Sequence, residues 1–180
     1  VALKLDNSLI FMSDTRTNAG IDNISVVKKM FTWSEPGDRV ITLMTAGNLA
    51  TTQAVVSLLD ERSKAPKDRD PNLMHVPTLF QAARLVGETL KEVVATSSND
   101  GYTSNSPFGA TLILGGQIAG MAPRLFLIYP EGNFVEATAD TPFFQTGETK
   151  YGRPIILRAF EPSMSAAEAV RLLCVSFDST

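Results

Sequence analysis

Apolar and polar residues alternate through "VALKL" (Val1 to Leu5), and a second apolar run, "LIFMS" (Leu9 to Ser13), follows Asp6, Asn7 and Ser8. Alternation of period two predicts a strand on each side, and Asp and Asn tolerate the left-handed backbone of a tight turn, so the pair reads as a hairpin. A third strand is expected over Ile24 to Trp33, and "EPGDR" (Glu35 to Arg39) turns the chain into a fourth, "VITLMTAG". The period then changes. From Leu49 to Arg62 the positions Leu49, Thr52, Val55, Val56 and Leu59 recur at helical spacing, with the charges of "DER" at the far end. After the polar linker "SKAPKDRDPN", Pro77 can open a second helix carrying Leu79, Ala82, Ala83, Val86, Leu90 and Val93 on one face.

The second half repeats this order. A Ser/Asn-rich loop, "SSNDGYTSNSPFG", leads to the strands "ATLILGG", "RLFLIYP" and "FVEAT", separated by turns that carry Gly, Pro and Asn. A helix is then expected over Thr149 to Leu157, interrupted at Pro154, and another from Ser165, where Ser165 and Glu168 have the spacing of a capping box. Strands grouped with strands and helices with helices argue against alternating βαβ units. They favour two antiparallel sheets packed face to face with helix pairs outside, a four-layer αββα sandwich of the α+β class.

Composition narrows the function classes. A length of 180 residues with 44% hydrophobic content suits a single domain with a real core. The net charge of −3 comes from 16 basic and 19 acidic residues without a block of either sign, so no footprint for nucleic acid or anionic lipid is expected. No apolar stretch approaches the roughly 18 to 20 residues that span a bilayer, and no basic-then-apolar leader is seen, which reads as a soluble, cytoplasmic protein. Cys174 is the only cysteine, so an internal disulfide is impossible, in keeping with a reducing compartment. Val1 opens in mid-strand and the last helix runs into Thr180 without a glycine stop. The domain is therefore expected to lack a few N-terminal residues and a C-terminal segment.

Few familiar catalytic signals are present. "GGQIAG" (Gly115 to Gly120) lacks the spacing of a phosphate-binding loop, and Met121 stands where such a loop needs lysine. His75, the only histidine, reads as a surface residue of the polar linker, which leaves no Ser-His-Asp triad and no His-rich metal site. Cys174 is expected in the core with Val170, Leu173 and Phe177. What remains is a set of polar residues at strand ends. Asp14 terminates the second strand, Lys28 and Lys29 lie in the third, and Gly47 ends the fourth where a helix begins. Alternation sends the two lysines to opposite faces, so one is expected to be buried beside an acid. An ordinary ion pair with a turn glycine accounts for this set as well as a catalytic site does, and the pattern alone leaves both readings open.

Four segments in order carry a family resemblance: "LIFMSDTRTNAG", "KKMF", "MTAGNLATTQ" and "GGQIAGMAPRLFLIYPEGNFVEAT". Together they resemble the bacterial Anbu proteins, the ancestral proteasome-β-subunit-like branch of the N-terminal-nucleophile hydrolases, over essentially the whole chain. The resemblance implies the αββα fold and a threonine-type peptidase that cuts peptide or unfolded-protein substrates with no metal or organic cofactor. In that family the hydroxyl of a terminal threonine attacks the peptide carbonyl, its own α-amine accepts the proton, and a lysine held by an acid tunes both. The resemblance makes Asp14 the orienting acid and Lys29 the lysine, with Lys28 as the alternative, and gives Gly47 the oxyanion-binding N–H. Thr17 and Asn18 would pair the substrate backbone, and Thr45 and Leu49 would line the specificity pocket. Where proteasomes have a supporting serine turn this chain reads "QTGE", so Thr146 departs from the pattern.

Family chains begin about three residues before the position matching Val1, so the nucleophile is expected just upstream; no internal Ser or Thr offers a free α-amine. The serine and acid that complete a proteasomal site likewise fall beyond Thr180. Self-assembly into a ring or open helix is implied, with any unfoldase partner unspecified. Two alternatives are a non-catalytic scaffold subunit, which would have no need of Asp14, Lys29 and Gly47, and an amidase acting on small amides.

Overall fold

The computed structural model describes residues 1–18, 24–64, 71–97 and 108–180, with residues 17, 18, 24 and 25 described by their backbone alone. Ala19 and Gly20, most of the Ser/Asn-rich loop, and residues 65–70 of the polar linker lie outside the described residues. In chain order the elements are β1 (Ala2–Lys4), β2 (Leu9–Phe11), β3 (Arg16–Asn18), β4 (Ile24–Val26), β5 (Met30–Glu35) and β6 (Arg39–Gly47). Helices α1 (Leu49–Lys64) and α2 (Leu79–Ser97) follow, then β7 (Ala110–Ile118), β8 (Arg124–Ile128), β9 (Phe134–Glu136) and β10 (Phe143–Phe144). The last elements are α3 (Gly152–Ala159) and α4 (Ala166–Asp178).

Two antiparallel sheets form, in the order β10-β1-β2 and β5-β6-β7-β8-β9, while β3 and β4 make a separate hairpin. Three apolar clusters show how the layers stack. Ile41, Leu43, Leu112, Leu114 and Phe126 of the larger sheet pack against Val55, Leu59, Val86 and Leu90 of α1 and α2. Ala2 and Phe144 of the smaller sheet meet Met44, Ile113 and Leu125 of the larger one. On its other face the smaller sheet sets Val1, Leu3 and Phe143 against Ile156 of α3 and Leu173 of α4. This is the αββα order expected from the grouping of elements.

Gly115, in the middle of β7, makes the contact between the sheets possible. A Cβ there would lie 2.8 Å from Phe11 Cζ and 2.9 Å from Leu125 Cδ1, so only a bare backbone lets the ring of Phe11 reach the larger sheet.

The first hairpin, the β5–β6 turn and both faces of α2 agree with the sequence pattern. Leu5 N–H closes the first turn on Ser8 O at 2.9 Å. All six residues assigned to the inner face of α2 are buried. Ser165 accepts from Glu168 N–H while the Glu168 carboxylate accepts from Ser165 N–H at 2.9 Å, a complete capping box. His75 is exposed, its ring nitrogen 2.8 Å from the Asn72 side chain.

Other expectations are corrected. The third strand is two, because residues 27–29 cross from one sheet system to another: Val27 N–H bonds Thr15 O at 2.7 Å, whereas Lys29 O accepts from Thr45 N–H at 2.9 Å. Strand β2 ends at Phe11, before Asp14. Pro154 does not interrupt α3, since it sits in the first turn, where no N–H is needed. Cys174 is exposed, as are Val170 and Val175; α4 is apolar on several sides and buries only Ala169, Leu173 and Ser176 fully. Strands β3 and β10, of three and two residues, are too short to show a period in the sequence.

Candidate active site

The crossing at residues 27–29 is what builds the site. It leaves Lys29 at the junction of the β3–β4 hairpin and the large sheet, with its ammonium free to turn towards the segment after β2. Lys29 Nζ donates to Asp14 Oδ1 and Oδ2, each at 2.9 Å, and to the Arg16 carbonyl at 2.5 Å. Asp14 Oδ2 also accepts from Arg16 N–H at 3.0 Å. The carboxylate is thus fixed from both sides, and the three acceptors hold the ammonium in one place. Lys28 does something else: its Nζ lies over the Phe31 ring, 5.1 Å from the centroid. The register therefore assigns Lys29, not Lys28, to Asp14, and the lysine is half-buried at a cavity wall rather than enclosed in the core.

That cavity, about 460 Å³, is lined by Val1, Asp14, Lys29, Thr45, Thr146 and Ser176 among others. The end of β1 opens into it. Val1 N donates to Met12 O at 2.9 Å and Met12 N–H bonds Val1 O at 3.0 Å, so the pairing of β1 with the segment after β2 runs up to the cavity wall.

Gly47 lies beside a second cavity of about 490 Å³, which shares Ala46, Gln145, Thr146 and Gly147 with the first. Its φ of +110° and a virtual Cβ only 2.7 Å from Gly109 O exclude any side chain. The direction of its N–H follows from its neighbours. Thr45 N–H bonds Lys29 O on the β5 side, and Asn48 N–H bonds Gly109 O on the β7 side, at 2.9 and 3.1 Å. Alternation along an antiparallel strand turns the Gly47 N–H to the side of Lys29, where β5 no longer runs.

The same alternation applies to β3. Val27 bonds Thr15, so Thr17 faces its register partner Ser25, while the backbone groups of Arg16 and Asn18 face the opposite edge. The side chains of Thr17 and Asn18 lie outside the described residues. Thr45 is buried in the first cavity's wall. Leu49, half-exposed at the start of α1, lines neither cavity. Thr146 lines both. The Arg16 carbonyl and Gln145 were missed from the sequence, since a backbone acceptor and an isolated amide side chain leave no pattern. Among the described residues no cluster of His, Cys, Asp and Glu could hold a metal ion. No described helix is long and apolar enough to cross a membrane.

Comparison with known proteins identifies the family. The family model described as "Proteasome subunit" matches residues 1–180. Anbu (ancestral beta-subunit) from Yersinia bercovieri superposes with a TM-score of 0.91 at 47% identity, over 99% of this chain and 73% of that one. Anbu from Hyphomicrobium sp. strain MC1 gives 0.88 at 50% identity, over 99% and 73%. The helical assembly of the Anbu complex from Pseudomonas aeruginosa gives 0.91 at 46%, over 99% and 72%. No curated protein sequence matches the chain. With its two sheets, flanking helix pairs and full-length match, the chain belongs to the proteasome-subunit family.

Proposed function

We propose that this chain is a proteasome-like threonine peptidase subunit that hydrolyses peptide bonds of small or unfolded polypeptides. The reading is carried by one observation: the Asp14–Lys29 pair, closed by the Arg16 carbonyl, faces the cavity into which β1 opens. The nucleophile is a threonine about three residues upstream of Val1. Alternation supports this position. Ala2 faces the space between the sheets and Val1 the opposite side, so the third residue before Val1 turns its side chain to the inter-sheet face, as Ala2 does.

The chemistry then runs as follows. The threonine hydroxyl attacks the substrate carbonyl while its α-amine takes the proton, and the Lys29 ammonium stabilises the developing alkoxide. The oxyanion accepts from the Gly47 N–H. The tetrahedral intermediate collapses as the amine returns the proton to the leaving nitrogen. Water then attacks the ester, with the same amine as base, and releases the acid. The outward edge of β3 at Asn18 and the N–H of Gly47 suit pairing with an extended substrate strand, with Thr45 proposed to line the specificity pocket. The Thr146 backbone would pair the residue just before Val1, by continuation of the β1–β10 register in which Ala2 faces Phe144.

The proposed site of action is the cytoplasm, and action as a homo-oligomer is supported by the helical assembly of the Pseudomonas aeruginosa relative. The test is labelling of the native protein by a threonine-directed covalent inhibitor. One adduct on the N-terminal peptide is expected. An unmodified protein under conditions that fully label a proteasome contradicts the reading.

A further inference from the structure

The two cavities lie side by side at one end of the cleft between the sheets. The first is walled by Asp14, Lys29 and Thr45. The second runs the other way, past Gly47 to Thr111 of β7, Leu127 of β8 and Pro130. Its floor follows from alternation. Met44, Ile113 and Leu127 pack with Ala2 and Phe144 between the sheets. Ala46 and Thr111, each two residues along its strand from Met44 and Ile113, therefore present that same inter-sheet face, and they are register partners. Residues 145–147, which follow β10 of the smaller sheet, border both cavities.

The β1–β10 register, with Ala2 opposite Phe144, carries the chain ahead of Val1 along residues 145–147. A nucleophile on the inter-sheet face there stands between the two cavities, and a carbonyl at the Gly47 N–H has one of them on each side. The edge of β3 and the wall at Thr45 suit the acyl side of the substrate, which leaves the second cavity for the amine side. The two cavities also differ in charge. Asp14, Arg16, Lys29 and Glu148 line the first, whereas none of the described residues lining the second is ionisable. Thr111, Leu127 and Pro130 are only partly buried, so their surfaces are open to a ligand. A charged side chain entering here gives up water and meets no counter-charge, while an apolar one gains by covering Leu127 and Pro130. The volume of about 490 Å³ accommodates a large side chain. We propose that this second cavity receives the side chain that follows the scissile bond and selects an uncharged, apolar one. The inference rests on the peptidase reading.

The test gives the native oligomer internally quenched peptides that are identical up to the cleaved bond and differ only in the next residue, Leu, Lys or Asp, with mass spectrometry locating the cut. In the wild type, kcat/KM is expected to be about 10-fold higher for Leu than for Lys or Asp. Thr111→Glu sets a carboxylate on the cavity floor and should raise the Lys peptide to the level of Leu or above it. Leu127→Lys should favour the Asp peptide instead. Equal kcat/KM for the three peptides cut by the wild type at the same bond overturns the inference and leaves the peptidase reading standing, whether or not the variants fold. An order of preference that neither variant changes, in protein that melts as the wild type does, overturns it as well. Wild-type protein that cleaves no peptide and takes no inhibitor label overturns both.

Discussion

Replacing Lys29 by Met separates catalysis from stability more sharply than any other change in this site. Methionine keeps the stem that packs at the cavity wall and removes only the ammonium. The structural cost is modest, because the Asp14 side chain is 51% exposed and the Lys29 side chain 24%, so water can replace the lost partner. An ion pair this exposed is worth about 0.2–1 kcal/mol, and the bond to the Arg16 carbonyl adds about 1 kcal/mol. A total of about 1–2 kcal/mol lowers the melting temperature by roughly 2–8 °C in a domain of this size. Catalysis should suffer far more. A positioned group that assists proton transfer contributes about 10²- to 10⁴-fold, so kcat for a fluorogenic peptide should fall by at least about 100-fold in protein that still melts cooperatively. Lys28→Ala is the control: its ammonium lies over Phe31, and its loss should leave kcat unchanged. Lys29→Met with kcat within about threefold of wild type would refute the assignment, and so would loss of activity matched by loss of fold.

Gly47→Ala introduces a methyl 2.7 Å from the Gly109 carbonyl at a φ of +110°. It is expected to cost about 1–3 kcal/mol and to shift the Gly47 N–H, lowering kcat more than it raises KM; steady-state kinetics beside thermal melting checks both. In a truncation variant made to begin at Val1, burial lowers the new terminal amine's pKa from 8.0 to about 6, and the charge of Asp14 opposes the shift. The unfolded chain then binds more protons between these values, so stability should rise from pH 6 to pH 8. The difference is about 2–3 kcal/mol. Denaturant titration should show this slope for the free amine and not for its N-acetylated form.

The fold was legible where the pattern was long. Strands β6 and β7 and helix α2 each run far enough for periodicity to show, and the capping box at Ser165 marks the start of α4 without ambiguity. The two-residue β10 and three-residue β3 are too short to carry a period, and their pairing depends on partners distant in sequence. The sequence does not orient Cys174, because α4 is apolar on more than one side and its composition gives the helix no direction. Asp14 and Lys29 could be named from the sequence, but not the break at residues 27–29 that brings them to 2.9 Å, nor the Arg16 carbonyl that closes the cage. Those contacts depend on backbone direction, which side-chain identity does not encode.

The central claim is an N-terminal threonine beside Lys29, and the most direct measurement is the intact mass and N-terminal sequence of the native protein after reaction with a threonine-directed inhibitor. The account predicts a mature terminus at a threonine just upstream of Val1, carrying one inhibitor on that residue and none in Lys29→Met. A mature terminus at Val1 itself, or an adduct on any other residue, would contradict it.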